Sequence, residues 1–475
     1  MLTLDILSFF IIIPIAIGIS HHHIIMSAEL ILTLILIILC LDFLIERTLD
    51  ILNRKNWTAE IPEALEGIYD EEKYAKSQAY EKDKHQIGLL SSVLSFVVTV
   101  LMIVAGGFAW VDDFVRLYMS NPIAVALGFF AFVMIGSSVI SFPFSYYSTF
   151  VIEEKYGFNR STLKTFLLDK LKGGILTAIL GGGLLALIIW IYTMTTTNFW
   201  WMAWALIAFF MVFMSMFYST LIVPLFNKQN PLEEGELKKA ISALAEKVGF
   251  KLDNIYVMDG SKRSSKGNAY FSGLGSRKRI VLFDTLIEEL STEEIVAVLA
   301  HEIGHYKKKH TLSSIVLGLL QTGVMFYIFS LLIGDASLSE ALGTTIHSFH
   351  LGLIAFGILY SPISTFLGLG MNVLSRKNEY EADAYAAAHY DSNALADGLK
   401  KLSVSSLSNL TPHPAYVFFY YSHPTLLQRL NAMDLQKDKG YTCHIFAKQI
   451  LAAFIIKNQA LLNTNDYLKQ CKQRL

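Results

Sequence analysis

The chain has 475 residues, of which 53% are hydrophobic and only 17% charged, with a net charge of −1. Soluble domains carry about 25% charged residues, so the deficit points to a membrane protein; the near-neutral balance excludes the basic surface that nucleic acid requires. Three cysteines, Cys40, Cys443 and Cys471, are too few and too scattered for a disulfide framework or a four-cysteine zinc site, and Cys40, inside an apolar run, reads as a small buried hydrophobe.

A membrane-spanning helix needs about 20 mostly apolar residues. The first apolar run, LDILSFFIIIPIAIGI at 4–19, is short, contains Pro14 and has no basic residue in front of it, which makes a poor signal peptide. Met26 follows HHHII as a second candidate start, so residues 1–25 read either as an extra hydrophobic segment or as an upstream artefact. Seven better runs lie near 28–46, 87–110, 122–148, 172–196, 199–225, 312–334 and 351–373. Gly181–Gly183 in the fourth suits close helix packing. Glu153 and Glu154 at the end of the third read as a solvated helix end.

Basic residues alternate in the connections. Arg47, Arg54, Lys55, Lys73, Lys76, Lys82 and Lys84 follow the first run, and Lys155, Arg160, Lys164 and Lys170 follow the third. The opposite side has Arg116, while the turn GDASLSEALGTT has no Lys or Arg. The basic side is cytoplasmic, so the N-terminus lies outside and the C-terminus inside. Residues 26–225 therefore hold spans 1–5 with cytoplasmic loops, 226–311 a folded cytoplasmic insert, 312–373 spans 6 and 7, and 374–435 a helical cytoplasmic region. Residues 436–475 form an unassigned tail whose apolar run, QILAAFII, is too short to span.

The insert reads as a polar helix (LEEGELKKAISALAEKVGF), short strands (NIYVMDG, RIVLFD) and a helix bearing HEIGH. Ser291 and Glu294 form a capping box that starts this last helix near Thr292. His301 and His305, four apart, share one helix face and can converge on a metal ion, with Glu302 beside it to take a proton from water. Alone, HExxH also fits a surface helix with two solvated histidines. A catalytic zinc needs a third protein ligand. His310 is near, but it lies five residues past His305, off the shared face of a continuous helix, and reads as a polar residue at a membrane edge. In SRKNEYEADAYAAAHY, Glu379 and Asp383 are four apart on one helix face; spacing alone leaves open a ligand with a supporting carboxylate or a solvated acidic face, which Glu381 also fits. In GNAYFSG, Asn268, Ala269 and Tyr270 read as an edge strand that pairs an extended substrate, or as one arm of a hairpin between Gly267 and Gly273.

LAHEIGHYKKKH followed by SRKNEYEADAYA resembles the CAAX prenyl protease 1 family of membrane zinc metallopeptidases. KYAKSQAYEKDKH (73–85), VIEEKYGFNRST (151–162), GNAYFSG (267–273) and YYSHPTLLQRL (420–430) resemble further family motifs, in the same order, over about residues 28 to 435. The resemblance implies one zinc ion held by His301, His305 and Glu379, Glu302 as catalytic base, Asp383 as a support behind a ligand, and His423 as a donor to the oxyanion, with Arg429 orienting that histidine or a carboxylate. It also implies an all-α membrane fold, a seven-span helical barrel around an intramembrane chamber, with a small cytoplasmic α+β metalloprotease insert. The expected partners are membrane lipid and a peptide or lipidated protein substrate, cut near its C-terminus.

Two other readings share the motif. One is a quality-control membrane metalloprotease of the HtpX type, which would be a shorter protein. The other is a transporter or lipid-binding protein with a structural zinc, which would need four protein ligands. The short turn between spans 6 and 7 favours a bacterial inner membrane over the endoplasmic reticulum of a eukaryote.

Overall fold

The computed structural model describes residues 27–57, 60–61, 66–195, 197–250, 255–272 and 279–437. The run at 4–19, His21–His23, Gly273, Cys443, Cys471 and almost all of the 436–475 tail lie outside them. Among the described residues, seven helices are long and apolar enough to cross a membrane: Ala28–Lys55, Glu71–Val104, Pro122–Glu153, Leu163–Met194, Phe199–Leu225, His310–Leu332 and Phe349–His389, here spans 1 to 7. Only 6–28% of each apolar window is buried. A solid bundle would bury far more, so each span exposes apolar surface on more than one side, as the wall of a hollow barrel must. Cys40 accordingly sits exposed on span 1 rather than buried.

Local chemistry explains where the helices exceed the expected runs. Ser27 caps span 1, accepting a hydrogen bond from Leu30 N at 3.3 Å, and Asp70 caps span 2, accepting one from Lys73 N at 2.7 Å. Span 2 therefore begins in polar sequence, outside the apolar run. It stops at Val104 because Gly106 adopts a left-handed conformation (φ 69°), and a separate helix, Gly107–Arg116, follows. Span 7 runs for 41 residues without a break, so the expected boundary at 373/374 falls inside one rod. Gly181–Gly183 do not mediate close packing: added Cβ atoms would meet nothing nearer than 3.8 Å. Gly181 instead closes a π-helical turn, Thr177–Gly181.

The insert holds a four-stranded sheet made of β1 (Gln229–Pro231), β2 (Ile255–Met258), β3 (Ala269–Ser272) and β4 (Arg279–Phe283), in the order β1-β2-β4-β3. β2 and β4 are parallel, the outer pairs antiparallel, and β3 lies at an edge. The HEIGH helix, Thr292–Lys307, shares one hydrophobic core with this sheet, in which Ile295, Val296, Leu299 and Ile303 join Ile280 and Leu282 of β4 and Leu286 of the helix that follows it. Its capping box is formed in both directions.

Ion pairs seat the insert on the basic-loop ends of the spans. Arg263 grips Asp169 of span 4 with two hydrogen bonds, at 2.7 and 2.9 Å. Glu153 of span 3 accepts from Tyr80 at 2.5 Å and lies 3.3 Å from Lys266, so it is a docking residue rather than a solvated helix end. At the other end of the barrel, the fully buried Asp112 accepts from Arg116 at 2.9 Å and His350 at 2.8 Å, tying the Gly107–Arg116 helix to the start of span 7.

The HEIGH helix and span 6 are almost contiguous. They are separated at Lys309, which takes a left-handed conformation (φ 60°) that costs a side-chain-bearing residue about 1 kcal/mol. Lys309→Gly is therefore expected to raise the unfolding free energy by about 1 kcal/mol, seen as a higher midpoint in a denaturation scan of the detergent-solubilised protein. A lower midpoint would show that the lysine side chain contributes more than its backbone costs.

Candidate active site

The HEIGH helix presents His301 and His305 toward the polar C-terminal extension of span 7, which presents Glu379. Gly304 makes the approach possible. A Cβ there would lie 3.0 Å from Tyr385 Cβ and 3.1 Å from Ala382 Cα, so a methyl group would need span 7 to give by a few tenths of an ångström.

His305 Nε2 lies 3.1 Å from His301 Nε2 and 3.3 Å from Glu379 Oε1, and His301 Nε2 lies 3.5 Å from Glu379 Oε2. Ligand atoms about 2.1 Å from a tetrahedral ion sit about 3.4 Å from one another, so these spacings suit a single metal. Glu379 Oε2 is buried without a hydrogen-bond partner, as a carboxylate oxygen reserved for a cation would be. Among the described residues the group that can converge on one ion is these three, leaving a position open.

The surrounding charges hold this set in place. Asp383 Oδ1 lies 2.8 Å from His301 Nδ1, and Arg429 Nη2 lies 3.4 Å from the same nitrogen, so Nε2 is the His301 nitrogen turned to the metal position. Arg429 clamps the same carboxylate through Nε (2.9 Å) and Nη2 (2.6 Å), and its Nη1 lies 3.7 Å from Glu379. Of the two roles expected for Arg429, the structure shows the carboxylate partner. Burial alone would lower the pKa of His301, but the Asp383 and Glu379 carboxylates beside it outweigh burial and push it up to about 9. Glu302 is half-buried on the same helix, and its carboxylate accepts no hydrogen bond from the described residues. His423 is exposed, its Nε2 3.3 Å from Glu379 Oε1 and its Nδ1 3.0 Å from Ser422 Oγ.

Asn268 leads into the edge strand β3, which Ala269 and Tyr270 begin and which pairs antiparallel with β4. Asn268 O accepts from Phe283 N at 3.0 Å, and the Tyr270 hydroxyl meets Ser219 of span 5 at 3.2 Å. The strand passes beside the HEIGH helix, where the Phe271 and Tyr306 rings lie 5.8 Å apart.

Family models match nearly the whole described chain: "CAAX prenyl protease N-terminal, five membrane helices" over residues 50–228, and "Peptidase family M48" over residues 231–437. The chain belongs to the CAAX prenyl protease 1 group of peptidase family M48. It is 35% identical to CAAX prenyl protease 1 of Saccharomyces cerevisiae over 406 residues, covering 80% of this chain and 90% of that one. It is 38% identical to the CAAX prenyl protease 1 homolog of Dictyostelium discoideum over 389 residues, with the same coverages. The crystal structure of S. mikatae Ste24p superposes with a TM-score of 0.80 at 36% identity, covering 85% of this chain and 99% of that one. This M48 peptidase is thus a multi-pass membrane metallopeptidase with the seven-span helical fold expected from sequence, and the quality-control alternative is not favoured.

Two residues beside the M48 site lie where sequence reasoning did not place them. His310 is buried, with Nδ1 3.0 Å from His305 Nδ1, and Glu381, read as solvated, lies 3.3 Å from His310 Nε2. The helix-face argument does not reach His310 because the helix ends at Lys307, and the left-handed Lys309 turns His310 back toward His305. The consecutive lysines that interrupt the apolar pattern before His310 were the only available signal. For Gly304 the close approach gives a direct test: Gly304→Ala is expected to lose metal measured in the purified protein and to lower stability by about 1–3 kcal/mol. Undiminished metal content would show that the helices can part without disturbing the donors.

Proposed function

We propose that the chain is a zinc endopeptidase that cleaves prenylated, CAAX-type proteins near their C-terminus, at the cytoplasmic end of the barrel. The observation that carries this reading is the open three-donor set His301, His305 and Glu379, with the unengaged carboxylate of Glu302 on the same helix. Two imidazoles, one carboxylate and a free position make a catalytic rather than a structural zinc site.

His301, His305 and Glu379 would hold the zinc, which when bound would supply Lewis acidity and ease deprotonation of the attacking water. Glu302 takes the proton from that water and returns it to the leaving nitrogen. His423, exposed beside Glu379, donates a hydrogen bond to the oxyanion. Asp383, clamped by Arg429, keeps His301 in the tautomer that ligates through Nε2. The Asn268–Tyr270 segment pairs the substrate backbone in extended form.

The substrate class rests on the relatives, whose names describe CAAX prenyl proteases, and on an apolar hollow of 630 Å³ alongside β3. Met214 and Tyr218 of span 5, with Phe226, Tyr270, Phe271 and Phe283, line it. It opens where the edge strand meets the membrane wall, a setting suited to an isoprenoid chain attached to a peptide. The cytoplasmic orientation is supported by the insert's attachment to the span ends that carry the basic loops. The relatives named above come from eukaryotes and lend no support to a bacterial inner membrane.

Glu302→Gln is expected to keep full zinc occupancy while cleavage falls at least about 100-fold. Retained cleavage would remove Glu302 as the base. A prenylated CAAX peptide is expected to be cut with a much lower KM than its unprenylated twin, in a mass-spectrometric assay of both. Equal kinetics would argue for a broad peptidase that does not read the lipid.

A further inference from the structure

His310 opens span 6 yet is buried, and its ring stands against that of His305 with centroids 5.1 Å apart and planes at 73°. Its Nδ1 is 3.0 Å from His305 Nδ1, and its Nε2 is 3.3 Å from Glu381 Oε2. These three side chains form a line leading away from the metal position. Lys377 Nζ, 3.6 Å from the other Glu381 oxygen, closes the line.

The proton positions along this line follow from its outer end. A carboxylate only accepts, so His310 Nε2 carries a hydrogen and donates it to Glu381. In a neutral imidazole the other nitrogen is then bare, so His310 Nδ1 accepts. His305 Nδ1 must therefore carry the hydrogen of the bond between the two rings. That leaves His305 Nε2 bare, and it is Nε2 that faces His301 and Glu379. His301 reaches the same state by a shorter route, through its direct bond to Asp383.

We infer that His310 and Glu381 are positioning residues that fix the tautomer and ring orientation of His305 as a metal ligand. The inference rests on the zinc reading above, since it needs His305 to be a ligand. Asp383 and Glu381, two residues apart on span 7, thereby support both imidazoles, His301 directly and His305 through a relay. The left-handed Lys309 is what lets a residue five positions along reach the back of His305. Groups that orient metal-bound histidines in this way contribute about 10- to 100-fold to metal affinity.

The test measures zinc affinity of the full-length, chelator-stripped protein by competition with a fluorescent indicator. His310→Phe, which keeps a ring but no polar atom, is expected to weaken zinc binding about 10- to 100-fold, with cleavage recovering once zinc is raised to saturation. His310→Gln, whose amide can accept from His305 and donate to Glu381, is expected to bind at least 5-fold more tightly than His310→Phe, as a rough threshold within that range. Wild-type affinity in His310→Phe, or equal damage in the Phe and Gln variants, would overturn the inference. Should His310→Phe fail to fold, the half-exposed Glu381→Leu serves instead, expected to weaken zinc several-fold; unchanged affinity there would also overturn it. His305→Ala separates the two levels of the argument: if that variant keeps zinc at wild-type affinity, the ligand assignment itself fails.

Discussion

Gly304 lets the HEIGH helix rest directly on Ala382 and Tyr385 of span 7, with no room for a methyl group between them unless span 7 gives by a few tenths of an ångström. Every distance in the active site depends on that contact. It places two imidazoles from one helix opposite three acidic side chains from the other, Glu379, Glu381 and Asp383. Buried carboxylates such as Glu379 and Asp383 cost several kcal/mol each unless they are paired. Here the pairing comes from elsewhere in the chain, because Arg429, carried on the helix Leu426–Lys437, supplies the clamp on Asp383. The site is complete only when the insert, span 7 and the C-terminal helix have packed together.

The membrane and the chemistry are joined by continuous helices rather than by flexible linkers. Span 7 leaves the barrel wall and reaches the site as one rod of 41 residues, and span 6 begins one residue after Lys309. That continuity fixes the position of Glu379 relative to the barrel wall. The far end of the rod is anchored as well. Asp112 joins Arg116 and His350 in a buried network that holds span 7 where its apolar length begins.

Much of this was legible in the sequence. All seven spans could be read as apolar runs, and their helices overshoot those runs into polar sequence, as where Asp70 caps span 2 and where span 7 continues to His389. The capping box at Ser291 and Glu294 formed as spacing requires, and β3 proved to be the edge strand that GNAYFSG suggested. Other features were hidden because they depend on partners remote in sequence. Glu153 looked like a solvated helix end until Tyr80 and Lys266 were brought to it. Gly181–Gly183 looked like a packing surface, yet no neighbouring helix comes close enough to need them.

HEIGH illustrates the division most clearly. The sequence by itself determined that His301 and His305 share a face and that Glu302 stands beside them, because a helix repeats every 3.6 residues whatever surrounds it. It also determined that a membrane span follows, because length and apolarity are properties of the segment alone. Only the tertiary structure decided that Glu379 stands opposite the two imidazoles, that Asp383 and Arg429 back His301, and that His310 turns to support His305. Spacing rules extend only as far as a helix continues. They stop at Lys309, where one left-handed residue redirects the chain, and beyond it proximity is set by packing.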